Sequence, residues 1–174
     1  MLITTEKLKL IKEFKDYEIT DLERKLNAIE KAIRNHTHNN FQVKEIRIKG
    51  ASSGSVVTGY NPYFKVGDTV EISQSINKGL YVIKAINDTS ITLDRELYDT
   101  PFNIVTKVFY DDDIIEGAIS ILKWDLKMAN KIGIASETIS RHSVSYQNID
   151  KANTIEGRPA SLFGFCRPYM KMRR

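Results

Sequence analysis

Long apolar runs, paired cysteines, clustered histidines and a charge excess of one sign spread along the chain are all missing from this sequence of 174 residues. No stretch approaches the ~20 apolar residues that a membrane-spanning helix needs. Glu6 and Lys7 stand where a secretory leader needs an apolar core. The lone cysteine, Cys166, has no partner for an intrachain disulfide, so a soluble protein in a reducing, intracellular setting is expected. His36 and His38 flank Thr37 and His142 lies far along the chain, a spacing that suits polar surface better than a zinc set. Internal repeats and low-complexity tracts are absent as well. The net charge of +4 is local: four of the last eight residues, Arg167, Lys171, Arg173 and Arg174, are basic, and the rest of the chain balances at 22 basic against 22 acidic residues. A nucleic-acid footprint running the length of the chain is therefore not supported.

Chemistry-bearing patterns are equally sparse. Ser140 and Ser143 beside His142 lack the elbow glycines and oxyanion device that nucleophilic catalysis needs. Gly50, Gly54 and Gly59 lack the lysine and hydroxyl that complete a phosphate-cradling loop, so flexibility of a loop is their expected role. Asp111, Asp112 and Asp113 offer oxygen ligands to a cation. Their place at a helix start explains them as caps that complement the helix dipole. No catalytic residue, cofactor or metal is expected.

The chain's organising stretch is Asp111–Gly133. Ile115, Ala118, Ile119, Leu122, Leu126 and Ala129 recur at steps of three and four, which stacks them on one side of a long helix, with Trp124 at the edge of that stripe. A short helix is expected over residues 4–14, with Leu8, Ile11, Leu10 and Phe14 apolar. A second is expected from Thr20, where Thr20 and Glu23 have the spacing of a capping box, to about Arg34, with Leu22, Leu26, Ile29 and Ile33 buried against the long helix. Between them the period falls to two. Short β-branched and aromatic runs near residues 43–48, 56–57, 69–73, 80–86, 90–94 and 105–110 are separated by Gly and Asn turns, predicting five or six antiparallel strands curled into a small barrel or sandwich. Tyr60, Tyr63, Phe64 and Tyr81 lie near lysines there, a composition that base-stacking modules share with ordinary strand packing. Ser143–Tyr146 alternates like a strand or half a hairpin, and Ala160, Leu162, Phe163 and Cys166 suggest a short helix ended or bent by Pro168.

The order of these parts resembles the head-tail connector proteins of tailed bacteriophages, also called head completion or adaptor proteins. The likeness covers residues 4–36 and 111–174 and is carried by Ser136-Glu137-Thr138-Ile139-Ser140 running into Ser143-Val144-Ser145-Tyr146, and by Arg167-Pro168-Tyr169. Ser140 departs from the glycine usual at its position, and compact members lack the insert. The resemblance implies an α+β protein: a small three- to four-helix core with a β hairpin (1–40 and 111–157), an inserted antiparallel β domain (41–110) and an extended C-terminal arm (158–174). It implies a non-enzymatic virion protein that assembles in the host cytoplasm and forms a homo-oligomeric ring, dodecameric when assembled, in the virion neck under the portal protein. Such a ring extends the DNA channel, lets DNA pass without sequence-specific binding, touches no membrane, and docks a downstream connector or tail-completion protein. It implies portal binding by the arm, here Arg158, Phe163, Phe165, Arg167, Pro168, Tyr169, Lys171, Arg173 and Arg174, ordering on contact. The alternative is a nucleic-acid-binding module that uses the β insert.

Overall fold

β-branched residues at alternate positions, punctuated by glycine turns, build the middle of the chain into strands. In the computed structural model, which describes residues 2–128, 136–139, 142–145 and 154–172, the chain forms two compact units, Asn40–Tyr110 and Leu2–Asn39 with Asp111–Arg174. The composition is mixed α and β.

The first unit contains β1 (Gln42–Ser53), β2 (Val56–Thr58), β3 (Thr69–Ser73), β4 (Gly79–Asn87), β5 (Ser90–Leu93) and β6 (Thr100–Val108). All pairings are antiparallel, in the order β1-β2-β5-β4-β3-β6, and β6 returns to β1, so the sheet closes as a barrel without an edge. Inward residues of neighbouring strands, such as Ile48, Val57, Val70, Ile72, Ile83 and Val105, form its apolar core. Phe64 joins them from the loop before β3. Gly50 is not a flexible loop residue. It lies within β1, where a Cβ would stand 1.7 Å from the Thr58 carbonyl oxygen, so β1 and β2 approach in a way only glycine permits. The register of β1 on β6 slips between Val43 and Arg47: Val43 pairs with Lys107 and Arg47 with the adjacent Thr106, leaving Lys44, Glu45 and Ile46 as a wide bulge.

The second unit is assembled from both ends of the chain: α1 (Thr5–Lys9), a 3-10 turn (Lys12–Phe14), α2 (Ile19–Thr37), α3 (Asp112–Met128), strands β7 (Ser136–Ile139) and β8 (His142–Ser145), two-residue strands β9 (Thr154–Ile155) and β10 (Arg158–Pro159), and a 3-10 helix (Ala160–Tyr169). Packing of α2 on α3 gives the unit its centre, with Leu22, Leu26, Ile29 and Ile33 buried on one and Ile114, Ala118, Ile121 and Leu122 on the other.

Several boundaries differ from the sequence expectation. The single helix over 4–14 is broken: Ile11 is extended, with φ −81° and ψ 123°. On a straight helix Leu8 and Phe14 would point about 120° apart. The break lets both be fully buried and leaves Leu10 81% exposed. α2 starts at Ile19, because the Glu18 carbonyl accepts from the Leu22 N–H, and Glu18 as N-cap residue makes no side-chain cap bond. Thr20 thus sits inside the first turn and the Thr20–Glu23 capping box does not form. At the far end α2 runs on to Thr37, whose hydroxyl donates to the Ile33 carbonyl at 2.8 Å, and His38 ends it in the left-handed region with φ 50°. On α3, Ala118, Ile119 and Leu122 are buried as expected and are joined by Ile114 and Ile121, whereas Ile115, Trp124 and Leu126 are only partly buried. Ala129–Gly133, expected to continue the helix, lie outside the described residues.

Candidate functional site

The residues expected to form an extended arm are folded into the helical unit. Ala160, Phe163, Cys166 and Tyr169 repeat every three residues, which aligns them on one face of a 3-10 helix. Phe163 and Cys166 are buried, and the Phe163 ring meets His36 of α2 edge-on at 5.5 Å between centroids. Phe165 lies on α3 at Gly117, where an added Cβ would come within 2.3 Å of its ring. A mid-helix glycine, ordinarily costing about 1 kcal/mol relative to alanine, has its reason in that contact.

Polar anchors hold both ends of this segment. Arg158 donates through Nε and Nη2 to the two carboxylate oxygens of Asp125 on α3, at 2.8 and 2.7 Å. At the other end the Tyr169 hydroxyl donates to Asp113 Oδ1 at 2.7 Å, Asn39 Nδ2 to the Tyr169 carbonyl at 3.2 Å, and the Lys171 N–H to the Thr37 carbonyl at 2.8 Å. The bond to Asp113 is the first cause holding the Tyr169 phenol well above its usual pKa, with burial and the charges of Asp111 and Asp113 adding to it. Burial, with a smaller push from Asp113, raises the Cys166 thiol to about 11. The expectation of an extended arm that orders on contact is therefore corrected: Phe163 is interior, and Arg158 is engaged. Arg167, Pro168 and Lys171 remain exposed, and Arg173 and Arg174 lie outside the described residues.

Asp113 shows what the acidic triplet does here. Its Oδ1 accepts from the Ile114 N–H at 2.8 Å as well as from Tyr169, so it ties the start of α3 to the C-terminal segment. Among the described residues no group of three or more His, Cys, Asp and Glu side chains is placed to hold a metal ion. Ser140 lies outside the described residues. Backbone pairing of β7 with β8, from Ser136 with Ser145 to Ile139 with His142, makes the Ser-Glu segment and the alternating run two halves of one hairpin.

On the barrel, the four aromatics singled out in the sequence part company. Phe64 is core, and Tyr81 lies partly buried under the Arg95 guanidinium, 4.7 Å from the ring centre, its hydroxyl donating to the Asn77 carbonyl at 2.8 Å. Only Tyr60 and Tyr63 are exposed. Two features escaped sequence reading. Asn77, buried at one end of the barrel, accepts from the Tyr98 N–H at 2.8 Å and donates to the Tyr98 carbonyl at 2.8 Å, Ser52 Oγ at 3.2 Å and Asn103 Oδ1 at 3.3 Å. The second is a polar groove of about 610 Å³ on the outer face of β1, β6 and β3.

No protein-family model matches this chain, and no curated protein is significantly similar to it. Among the described residues no helix is long and apolar enough to cross a membrane.

Proposed function

We propose that this chain is a structural subunit of a phage head-tail connector. One observation carries the reading: helices from both sides of the inserted barrel, the hairpin of Ser136–Ile139 with His142–Ser145 and the segment ending in Arg167-Pro168-Tyr169 belong to one unit, the order of parts that the resemblance rests on. In this reading copies meet head to tail through two different surfaces, a geometry that closes into a ring when the angle fits. The ring lies in the virion neck between the portal and the next connector or tail component, DNA passes along its axis, and the chain catalyses nothing. Portal contact falls to the exposed Arg167 and Lys171, and to Arg173 and Arg174, which follow them in the sequence beyond the described residues, because Phe163 and Arg158 are occupied within their own unit.

Native mass spectrometry and negative-stain imaging of the purified chain, alone and mixed with the portal ring of its own phage, test this. A ring, or a stoichiometric complex with the portal that is lost when those four basic residues are changed to alanine, is the expected result. A chain that stays monomeric and never joins the portal would overturn it. The rival reading, base stacking on the insert, is narrowed to Tyr60 and Tyr63, since Phe64 is part of the core.

A further inference from the structure

Thr106 and Glu71 point outward from the barrel wall, opposite to the inward Val105, Val70 and Ile72, yet they are only 4% and 6% exposed. They form the floor of the groove, side by side in register across β6 and β3, and Arg47 of β1, paired with Thr106, rises at its edge. The bulge at Lys44–Ile46 borders one side, and the turn carrying Gln74, Ser75 and Lys78 borders the other. Lys44, Arg47 and Lys78 are exposed at its rim. Asn, Gln, Ser and Thr side chains supply most of the remaining lining, which holds one aliphatic residue, Ile104, and no aromatic ring.

Hydroxyls, amides and cations without aromatics are the side chains that meet phosphate and sugar oxygens. Single strands, by contrast, are gripped by stacking their bases on rings, which this groove lacks. We propose that the groove binds the phosphodiester backbone of double-stranded DNA, without regard to sequence, through Lys44, Arg47 and Lys78. Glu71 sets the strength of that contact. Gln42 Nε2 donates to its carboxylate at 3.0 Å and Asn40 Nδ2 at 3.5 Å, fixing a negative charge beneath the three cations, where it offsets part of their pull on phosphate. The outcome is a weak, salt-sensitive hold that lets a duplex slide. This assignment needs only the barrel and stands apart from the connector reading.

Fluorescence anisotropy of the full-length protein with labelled duplexes of unrelated sequence provides the test. Binding at low salt should be alike for all sequences and weaken with a log–log salt slope of about −3, one unit per phosphate neutralised. The triple variant Lys44→Ala, Arg47→Ala, Lys78→Ala should lose it, and Glu71→Gln should bind severalfold more tightly with a similar slope. Oligo-dT should bind more weakly than duplex, and inorganic phosphate at matched ionic strength should not compete. An unchanged thermal melt certifies each variant as folded. The proposal is overturned if duplex does not bind at low salt, if the triple variant binds as well as the parent, if Arg173→Ala, Arg174→Ala alone abolishes binding, if oligo-dT binds better than duplex, or if free phosphate displaces the DNA. Portal association is read separately, so either result leaves the connector test intact.

Discussion

The barrel and the helical unit are stabilised in opposite ways. The barrel is one unbroken stretch of chain whose core residues come from successive strands, and its end is sealed by hydrogen bonds around Asn77. The helical unit draws on both chain ends, and its last 3-10 helix is fastened by an interior phenylalanine, a glycine-seated ring and an ion pair. A discontinuous unit depends on its final segment, whereas a contiguous one depends on its internal register.

Truncating the final segment's anchor should expose that dependence most strongly. Phe163→Ala removes a fully interior ring and should cost about 3–5 kcal/mol. Hydrogen exchange should show faster exchange in α2 and α3, with the amides of β3, β4 and β6 protected as before. If barrel amides lose protection equally, the two units unfold as one and the contrast fails. Next in size is the barrel's own weak point. Asn77→Ala strands the Tyr98 N–H and takes one bond each from the Tyr98 carbonyl, Ser52 and Asn103, which keep Ser52 Oγ, Thr100 and Ser75 as partners, an expected loss of about 2–3 kcal/mol. Here the exchange pattern should reverse, with barrel amides affected and helical ones spared.

Alkaline pH should separate the units with a smaller effect. Cys166 and Tyr169 both have folded pKa values above their unfolded ones, so each favours the folded state while protonated. The contribution is complete below about pH 9, the ordinary thiol value, and for Cys166 it disappears as pH rises through about 11. For the buried thiol this is on the order of 2 kcal/mol. The barrel's Tyr81 is also raised, chiefly by burial, but the Arg95 charge opposes the shift. Urea melts at pH 8 and pH 11 followed by Trp124 fluorescence should therefore show a loss that Cys166→Ala reduces; an equal loss in that variant would remove the thiol from the account.

How much of this was legible in the sequence follows from the range of the interactions. Strands, turns and helix faces rest on neighbours a few residues apart, so the alternation at 69–73 and the stripe on α2 could be read directly. The α2 start was misread because Thr20 and Glu23 have capping spacing wherever the first turn falls, and only the backbone bond to Glu18 fixes it. The Lys44–Ile46 bulge and the Asn77 cluster depend on partners that become neighbours only when the barrel closes, and with them the groove. Gly117 and the three-residue period of Ala160, Phe163, Cys166 and Tyr169 were visible signals of a docked segment. They went unread because nothing local tells a ring which distant helix will receive it.

The sharpest form of the comparison is also the smallest effect: two ion pairs of similar burial, one in each unit. Arg158–Asp125 has side chains 15% and 12% exposed, and Lys107–Asp68 16% and 18%. Burial alone would make them equal. Their geometry differs, because Arg158 meets both oxygens of Asp125, while the compact Lys107 ammonium at 2.6 Å from Asp68 also serves the Tyr63 carbonyl, and the Lys65 N–H shares the same Asp68 oxygen. A planar fork held on two points loses more when its partner goes than a point charge with substitutes at hand. Double-mutant cycles should give a coupling of about 1–2 kcal/mol for Arg158–Asp125 and no more than about half of that for Lys107–Asp68. Equal couplings would mean that desolvation, the same for both, outweighs geometry, and that the C-terminal segment is held by Phe163 and Phe165 with Arg158 contributing only placement.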